Sequence, residues 1–224
     1  MRIVFVRHGH PNYEQDCLTE LGHLQAQAAA QRIADEGISE IYSSTCGRAL
    51  ETAGYTADLL GLPIVRCDFM REIAWASKDG TELFRNGNPW FIAFDKIERG
   101  ESLYHPDWQQ REPFCHSVVV DHYASVSAAF DQWLLGLGYQ REGEYYRVVG
   151  ENTSRTVAMF SHGGSSSVVL SHIANIPFPC FCGALPPDFT AVTILRLSDQ
   201  PGVLTSPRFE ILNDATHIRG CKVD

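Results

Sequence analysis

Two apolar segments of the sequence lead directly into a histidine that is followed by glycine. In the first, VFVRHGHPN over residues 4–12, the apolar run leads into Arg7 and His8. In the second, TVAMFSHGG over residues 156–164, it leads through Ser161 into His162. A neutral imidazole is a competent nucleophile, and a guanidinium group is a strong partner for an anion. The first segment therefore predicts a site where His8 performs chemistry while Arg7 holds an anionic group beside it.

Strands and helices alternate along the rest of the chain. Short apolar, β-branched runs predict strands, whereas apolar residues at three- and four-residue spacing, or alanine-rich stretches that end at glycine, predict helices. The predicted strands cover residues 2–7, 39–44, 63–67, 156–161, 191–197 and 207–213. The predicted helices cover residues 20–36, 46–60, 117–137 and 165–174. This alternation is typical of an α/β fold, and we expect a three-layer sandwich with a mostly parallel central sheet flanked by helices.

Such a sheet would bring the polar groups together, because ligands of open α/β sheets bind outside the carboxyl ends of the strands. His8 and His162 would then face each other at this edge. Arg48 would reach the same edge from the first turns of the helix that follows the second strand. Gly163 would open a helix whose free N–H groups and positive dipole end suit a bound anion. These groups together would neutralise the charge of a phosphoryl group during its transfer.

Residues 77–115 interrupt the alternation and combine glycine and proline with many aromatic residues. The aromatic residues are Phe84, Trp90, Phe91, Phe94, Tyr104, Trp108 and Phe114. Disordered linkers are poor in aromatic residues, so we expect a folded cap or lid inserted into a single domain over residues 1–224. A satellite hydrophobic cluster without a role at the substrate is an equally good interpretation.

Bulk properties narrow the class of protein. The formal charge of −9 makes nucleic acid an improbable partner, since nucleic-acid binding depends on basic surface. No apolar stretch approaches the roughly 20 residues of a membrane span, and the sequence suggests a cytoplasmic protein. The odd number of cysteines, seven, argues against a disulfide framework and favours mostly buried thiols. Motifs for a metal or a dinucleotide are missing, so we expect neither metal nor cofactor, and the oligomeric state stays open, with a homodimer as one option.

Five motifs in order resemble the histidine phosphatase superfamily, which is also called the phosphoglycerate mutase-like family. They are RHG at 7–9, LTELGHLQA at 18–26, SSTCGRALETA at 43–53, REI at 71–73 and SHGG at 161–164. The resemblance spans nearly the whole chain, and the aromatic insertion lies where the family varies most. SSTCGRALETA is much more specific than RHG, which recurs by chance.

The resemblance implies a role for each matching residue. His8 corresponds to the nucleophile that takes the phosphoryl group as a phosphohistidine. Arg7, Arg48 and His162 correspond to the groups that clamp the phosphoryl oxygens. Glu72 corresponds to the acid that protonates the leaving oxygen and then acts as the base for water. Other carboxylates that could serve instead are Glu82, Glu98 and Glu101.

The sequence departs from the family pattern just after the nucleophile. His10 and Pro11 stand where many relatives have an acidic residue followed by serine or threonine, so His10 is a candidate substrate contact. Mutase relatives also carry an asparagine where this chain has Glu14, and a long loop where this chain has a short bridge to Leu18. These differences favour hydrolysis of a small phosphorylated substrate. A phosphoglycerate mutase-type phosphotransferase and a catalytically silent module that binds phosphorylated ligands are the alternatives.

Overall fold

A computed structural model describes residues 1–151 and 153–222 of the chain. The strands are β1 (Arg2–Arg7), β2 (Pro11–Asn12), β3 (Cys17–Leu18), β4 (Ile38–Ser43), β5 (Ile64–Arg66), β6 (Tyr139–Glu142), β7 (Tyr145–Val148), β8 (Thr156–Ser161), β9 (Val192–Arg196), β10 (Leu204–Thr205) and β11 (Arg208–Asp214). The helices are α1 (Glu20–Ile33), α2 (Gly47–Leu60), α3 (Pro89–Glu98), α4 (Val119–Gly136), α5 (Gly163–Ala174) and α6 (Phe178–Ala184). Every strand and helix predicted from the sequence is present, with ends that differ by a few residues.

The central sheet has six strands in the order β11-β9-β1-β8-β4-β5. Strands β1, β8, β4 and β5 are parallel, whereas β9 is antiparallel to both of its neighbours. This mostly parallel sheet confirms the predicted fold class. The register of β1 and β8 pairs Arg7 with Ser161, so the next residues, His8 and His162, leave adjacent strands at the same edge.

Helices cover both faces of this sheet. Ile3 and Phe5 of β1 belong to a core shared with α4 and α5, whereas Val4 and Val6 belong to a core shared with α1 and α2. All four side chains are buried. Burial on both faces explains why β1 is apolar at successive positions and does not alternate with polar residues.

The inserted segment, residues 77–115, contains α3 and three short 3-10 turns. It shares the main core, because Trp108 is buried with its ring against Phe114, Tyr123 and Phe178. Helix α3 packs on α6. The segment is therefore attached along its length to the body of the fold.

Several elements do not follow from the sequence patterns: the paired short strands β2 and β3, helix α3 of the insertion, the β6–β7 hairpin, the short strand β10 that pairs with it, and helix α6. The prediction of mostly buried cysteines is wrong, because only Cys46, Cys67 and Cys182 are buried. The other four, Cys17, Cys115, Cys180 and Cys221, are only partly buried, and all seven are free thiols. Within the described ranges, no helix is long and apolar enough to cross a bilayer.

Candidate active site

His8 lies directly after β1 and is almost fully buried, with 1% of its surface exposed. Its Nδ1 is 2.7 Å from the carbonyl oxygen of Gly9. Because a carbonyl oxygen only accepts hydrogen bonds, Nδ1 carries the proton and Nε2 keeps a lone pair. The Nε of Arg48 lies 3.4 Å from this Nε2. His8 therefore presents an unprotonated ring nitrogen beside a guanidinium group.

A close backbone contact holds the turn that carries His8 against α1. A β-carbon on Gly9 would lie 2.6 Å from the carbonyl oxygen of Gly22, and one on Gly22 would lie 2.2 Å from that of His10. Neither position accepts even a methyl group unless the backbone moves. The Gly9 N–H also donates to Thr52 Oγ1 at 3.1 Å, which ties the same turn to α2.

Gly22→Ala is therefore expected to lower the free energy of unfolding by about 1–3 kcal/mol, because the added methyl group overlaps backbone atoms. Gly54→Ala is the matched control within α2, where an added β-carbon meets nothing within 4 Å. Alanine is the better helix former there by roughly 0.5–1 kcal/mol, so this variant should be more stable. Denaturant titration measures both changes, and a similar response of the two variants would contradict the importance of the contact.

His162 leaves β8 on the other side of the same crevice and is fully buried. The centroids of the His162 and His8 rings are 5.1 Å apart. Nε2 of His162 shares a hydrogen bond of 2.8 Å with Ser44 Oγ, while Nδ1 has no partner among the described residues. This Nδ1 is therefore a buried polar atom that is open to a ligand.

Arg7 is fixed around its guanidinium group and still keeps an open donor. Nη1 donates to the carbonyl oxygen of Pro187 at 2.5 Å, and the guanidinium carbon lies 4.2 Å from the centroid of the Phe189 ring. Gly163 lies next to the group, and a β-carbon there would be 3.5 Å from Arg7 Nε, an ordinary van der Waals distance. Nε itself is buried and has no partner in the described part of the chain. Arg7 Nε and His162 Nδ1 are therefore two buried groups available to one ligand.

Arg48 belongs to the first turn of α2 and is oriented by Asp16. The guanidinium Nη1 forms an ion pair with Asp16 Oδ1, and Asp16 Oδ2 accepts from the Gly47 N–H at 2.7 Å. Partial burial acts to raise the pKa of Asp16, but the Gly47 hydrogen bond and the Arg48 charge outweigh it and hold that pKa below its usual value. The exposed ring of Tyr13 lies over the Arg48 guanidinium, 5.4 Å from its carbon.

Both site histidines are neutral at physiological pH. Burial, followed by the charges of Arg7 and Arg48, lowers the pKa of His8 to about 3, against the opposing hydrogen bond to Gly9. Burial, followed by His8 and then the same arginines, lowers the pKa of His162 to about 2. A buried pocket with two guanidinium groups thus disfavours a third positive charge and favours an anion.

Glu72 follows β5 and reaches the N-terminus of α5. Its Oε1 accepts hydrogen bonds from the N–H groups of Ile73 at 3.0 Å, Gly164 at 2.9 Å and Ser165 at 3.1 Å. Burial raises the pKa of Glu72, although these hydrogen bonds and the nearby arginines oppose the rise. Glu72 therefore holds its proton to higher pH than an ordinary glutamate, and Oε2 is the oxygen that stays free of these backbone donors.

The N-terminus of α5 is predicted to bind an anionic ligand, but in the structure it mainly binds Glu72. Two N–H groups at the start of α5, those of Gly164 and Ser165, bind the Glu72 carboxyl and not an anionic ligand. The Gly163 N–H is left, and Gly163 lines the adjacent cavity. A helix start attracts a carboxylate for the same reason that it attracts a phosphate.

A cavity of about 340 Å³ lies beside this site, and its lining includes Arg7, Glu72 and Gly163 but not His8, His162 or Arg48. Arg7, Glu72 and Gly163 form its inner end. Its outer wall comprises Tyr13, Trp75, Asn88, Trp90, Phe91, Phe94, Pro186 and Pro187. Four of these residues, Asn88, Trp90, Phe91 and Phe94, belong to the inserted segment, which therefore lines the cavity.

The structure brings together His8, His162, Arg7 and Arg48, with Glu72 and Gly163 beside them, but it places His10 differently. His10 Nδ1 is 3.0 Å from Thr19 Oγ1, and its ring packs on Phe189 with centroids 5.3 Å apart. Like His8, His162 and Arg48, it is not among the residues that line the cavity. The three other candidate acids, Glu82, Glu98 and Glu101, are exposed residues of the insertion that do not line this cavity either.

Several side chains that position the site are not among the residues predicted from the sequence. Asp16 orients Arg48, and Ser44 holds His162. Phe189 packs on Arg7, His8 and His10. Asp16 lies in the short bridge before Leu18, and its acidic side chain near the RHG turn was the available hint. Within the described residues, no group of three or more His, Cys, Asp or Glu side chains is arranged to hold a metal ion.

The fold thus gathers two arginines and two neutral histidines at one edge of a mostly parallel sheet. The chain belongs to the histidine phosphatase superfamily (branch 1), whose sequence model matches residues 3–208. This match confirms the resemblance drawn from the five motifs.

Curated relatives include the probable phosphoglycerate mutase GpmB of Yersinia pestis (strain Pestoides F), which is 35% identical over 82 residues. That match covers 33% of this chain and 38% of the relative, so the chain spans well under half the length of the curated protein.

Solved structures share the fold over nearly the whole chain. Mycobacterial glucosyl-3-phosphoglycerate phosphatase in complex with VO3 aligns over 95% of this chain and 98% of its own, with a TM-score of 0.62 and 20% identity. Phosphoserine phosphatase from Entamoeba histolytica in complex with 3-phosphoglyceric acid covers 97% and 98%, with a TM-score of 0.64 and 20% identity. These likenesses show the fold that the chain shares with the two enzymes.

Proposed function

We propose that the protein is a phosphomonoester hydrolase that works through a phosphohistidine on His8 without a metal ion. The observation that carries the proposal is the neutral His8 ring, whose Nε2 lone pair lies beside Arg48 in a buried pocket. The unpartnered Arg7 Nε and His162 Nδ1 support it, because a phosphoryl group has the oxygens to accept from both. A phosphoryl group is thus the ligand that would complete the donors of this pocket.

In the first step, Nε2 of His8 attacks the phosphorus atom while the bond from phosphorus to the leaving oxygen breaks. Glu72 gives its proton to that oxygen, which matters most when the leaving group is a poor alkoxide. The guanidinium groups of Arg7 and Arg48 neutralise the charge on the phosphoryl oxygens. The alcohol departs, and the phosphoryl group stays on His8.

In the second step, water attacks the phosphorus atom of the phosphohistidine. Glu72, now a carboxylate, takes a proton from that water. The bond between phosphorus and Nε2 breaks, its electron pair returns to the ring, and inorganic phosphate leaves. Glu72 is protonated again, so the site is ready for another substrate.

The decisive experiment is a phosphate-release assay of the purified protein across a panel of phosphomonoesters, with and without a chelator. We expect hydrolysis of 4-nitrophenyl phosphate that EDTA does not reduce, and an acid-labile, base-stable phosphoenzyme after rapid quenching. Conversion of 3-phosphoglycerate to its 2-isomer faster than phosphate release would instead identify a mutase. Binding of phosphorylated ligands with no turnover of any panel member would identify a silent module.

A further inference from the structure

The outer wall of the active-site cavity is built almost entirely from aromatic rings and prolines. Trp75 contributes from the chain before the insertion, Trp90, Phe91 and Phe94 come from α3, and two prolines come from the loop after α6. Phe91 and Phe94 are 49% and 41% exposed. Burial in the core does not account for aromatic side chains that stand open beside an active site.

This aromatic wall is held in place before any ligand arrives. The side chain of Asn88 caps α3 by accepting from the N–H groups of Trp90 and Phe91 at 3.1 and 3.2 Å. On the other side of the helix, Ile92 and Ala93 are buried in the main core. The rings of Trp75 and Trp90 meet edge to face with centroids 5.6 Å apart. A preformed wall costs little ordering when a ligand binds.

Charge is confined to the inner end of the cavity. Arg7 is the cation and Glu72 the acid among the lining residues, and both lie at the phosphoryl end. Arg85 packs against the Phe91 ring at 5.6 Å but does not line the cavity. A carboxylate or ammonium group on the leaving group would therefore lose water against aromatic rings without gaining a partner. An uncharged ring would instead gain stacking and edge contacts.

We propose that the preferred substrates are phosphomonoesters of uncharged aromatic alcohols or phenols, with the ring seated against Trp90 and Phe94. This inference rests on the proposed hydrolase function and adds the class of leaving group. The cavity is at the small end of ligand sites, which suits one or two fused rings.

Paired substrates test the class while leaving-group chemistry is controlled. Phenyl phosphate and 4-carboxyphenyl phosphate differ by one carboxylate, which makes the second the better leaving group chemically. We expect kcat/KM to be at least about tenfold higher for phenyl phosphate, because the carboxylate is desolvated without a counterion. Benzyl phosphate and phosphoserine both release primary alkoxides, and benzyl phosphate should be preferred similarly. Equal or reversed preference in both pairs would overturn the inference.

Variants of the wall provide the structural test. Trp90→Ala and Phe94→Leu should each lower the ratio of kcat/KM for 2-naphthyl phosphate to that for acetyl phosphate, which lacks a ring, by at least about fivefold. Phe84→Ala is the matched control, since Phe84 is a half-exposed ring of the same insertion that does not line the cavity. Phe94 is 41% exposed, so its replacement by leucine leaves no cavity in the core. This variant therefore tests the wall even if Trp90→Ala fails to fold.

The two levels of the proposal fail in different ways. Hydrolysis that depends on His8 but shows an unchanged ratio in both wall variants would overturn the aromatic class and leave the hydrolase intact. Absence of any hydrolysis that depends on His8 would remove the proposed function itself.

Discussion

His8→Ala is expected to reduce hydrolysis of 4-nitrophenyl phosphate by at least about 1,000-fold, because a covalent nucleophile has no substitute in the pocket. His162 is the other ring within reach, but its Nε2 is hydrogen-bonded to Ser44, and its Nδ1 is the atom that we assign to a phosphoryl oxygen. The variant should also form no phosphoenzyme when quenched during turnover. A quenched assay with 4-nitrophenyl phosphate that is radiolabelled at phosphorus measures phosphate release and phosphoenzyme on the same sample.

His10→Ala is the matched control, because His10 lies two residues further along the same loop. Its ring is bonded to Thr19 and packed on Phe189, so activity should stay within a few-fold of the unmodified protein. A loss as large as that of His8→Ala would mean that damage to the loop, and not removal of the nucleophile, explains the first result. Retained phosphoenzyme in His8→Ala would overturn the assignment directly.

The lowered pKa of His8 adds a pH criterion to this prediction. A histidine with a pKa of about 3 is protonated only below that value, so Nε2 keeps its lone pair throughout the range from pH 4 upwards. The acid side of the kcat/KM profile should therefore show no fall near pH 6.5 that belongs to the nucleophile, once the ionisation of the substrate phosphate is taken into account. An inactivating protonation near pH 6.5 would contradict the burial argument.

The positions of the main groups of the site could be predicted because each is tied to a repeating local pattern. A parallel strand that ends in a histidine places that histidine at the carboxyl edge of the sheet, whatever the rest of the chain does. His8 and His162 follow paired residues of β1 and β8, and this register was implicit in two similar segments. Arg48 required only that a helix start at the same edge.

Other parts of the site depend on tertiary contacts that no local pattern reports. Asp16 reaches Arg48 because a turn in the left-handed region, with a φ of 51°, brings it back over α2. The helix N-terminus of α5 was predicted to hold an anion, and it holds the Glu72 carboxyl because that residue arrives from a segment more than 90 positions earlier in the chain. The position of α3 beside the cavity depends on its packing against α6, which the aromatic composition of residues 77–115 does not report.

The hairpin β6–β7 and helix α6 were missed for a different physical reason. The hairpin strands have four residues each. Helix α6 is preceded by Pro177 and has Pro179 in its first turn, so two prolines stand at its start. Elements this short carry too few periodic positions to distinguish a strand or a helix from a loop. Their stability comes from packing, since Phe178 and Phe181 of α6 are buried in the main core.

Glu72→Gln is expected to lower kcat for alkyl phosphomonoesters by about 100- to 1,000-fold, because glutamine cannot give a proton to the leaving alkoxide. The amide oxygen can still accept from the backbone N–H groups at the start of α5, so the fold around it should be preserved. Nitrophenolate leaves without a proton, so phosphorylation of His8 by 4-nitrophenyl phosphate should slow much less. Water attack still lacks its base, and a burst of nitrophenol equal to the enzyme concentration should precede a slow steady state.

Control and pH dependence make this prediction specific to Glu72. Glu82→Gln changes an exposed carboxylate of the insertion and should leave the kinetics unaltered. In the unmodified protein, the raised pKa of Glu72 means that the protonated acid persists to higher pH than in an ordinary glutamate. For alkyl substrates, kcat/KM should therefore fall as the pH rises through that pKa, and the fall should be absent in Glu72→Gln. An alkaline limb that survives in the variant, with no nitrophenol burst, would assign the proton to another group. The limb and the burst report opposite protonation states of one side chain, so a residue that merely supports the fold would not change both.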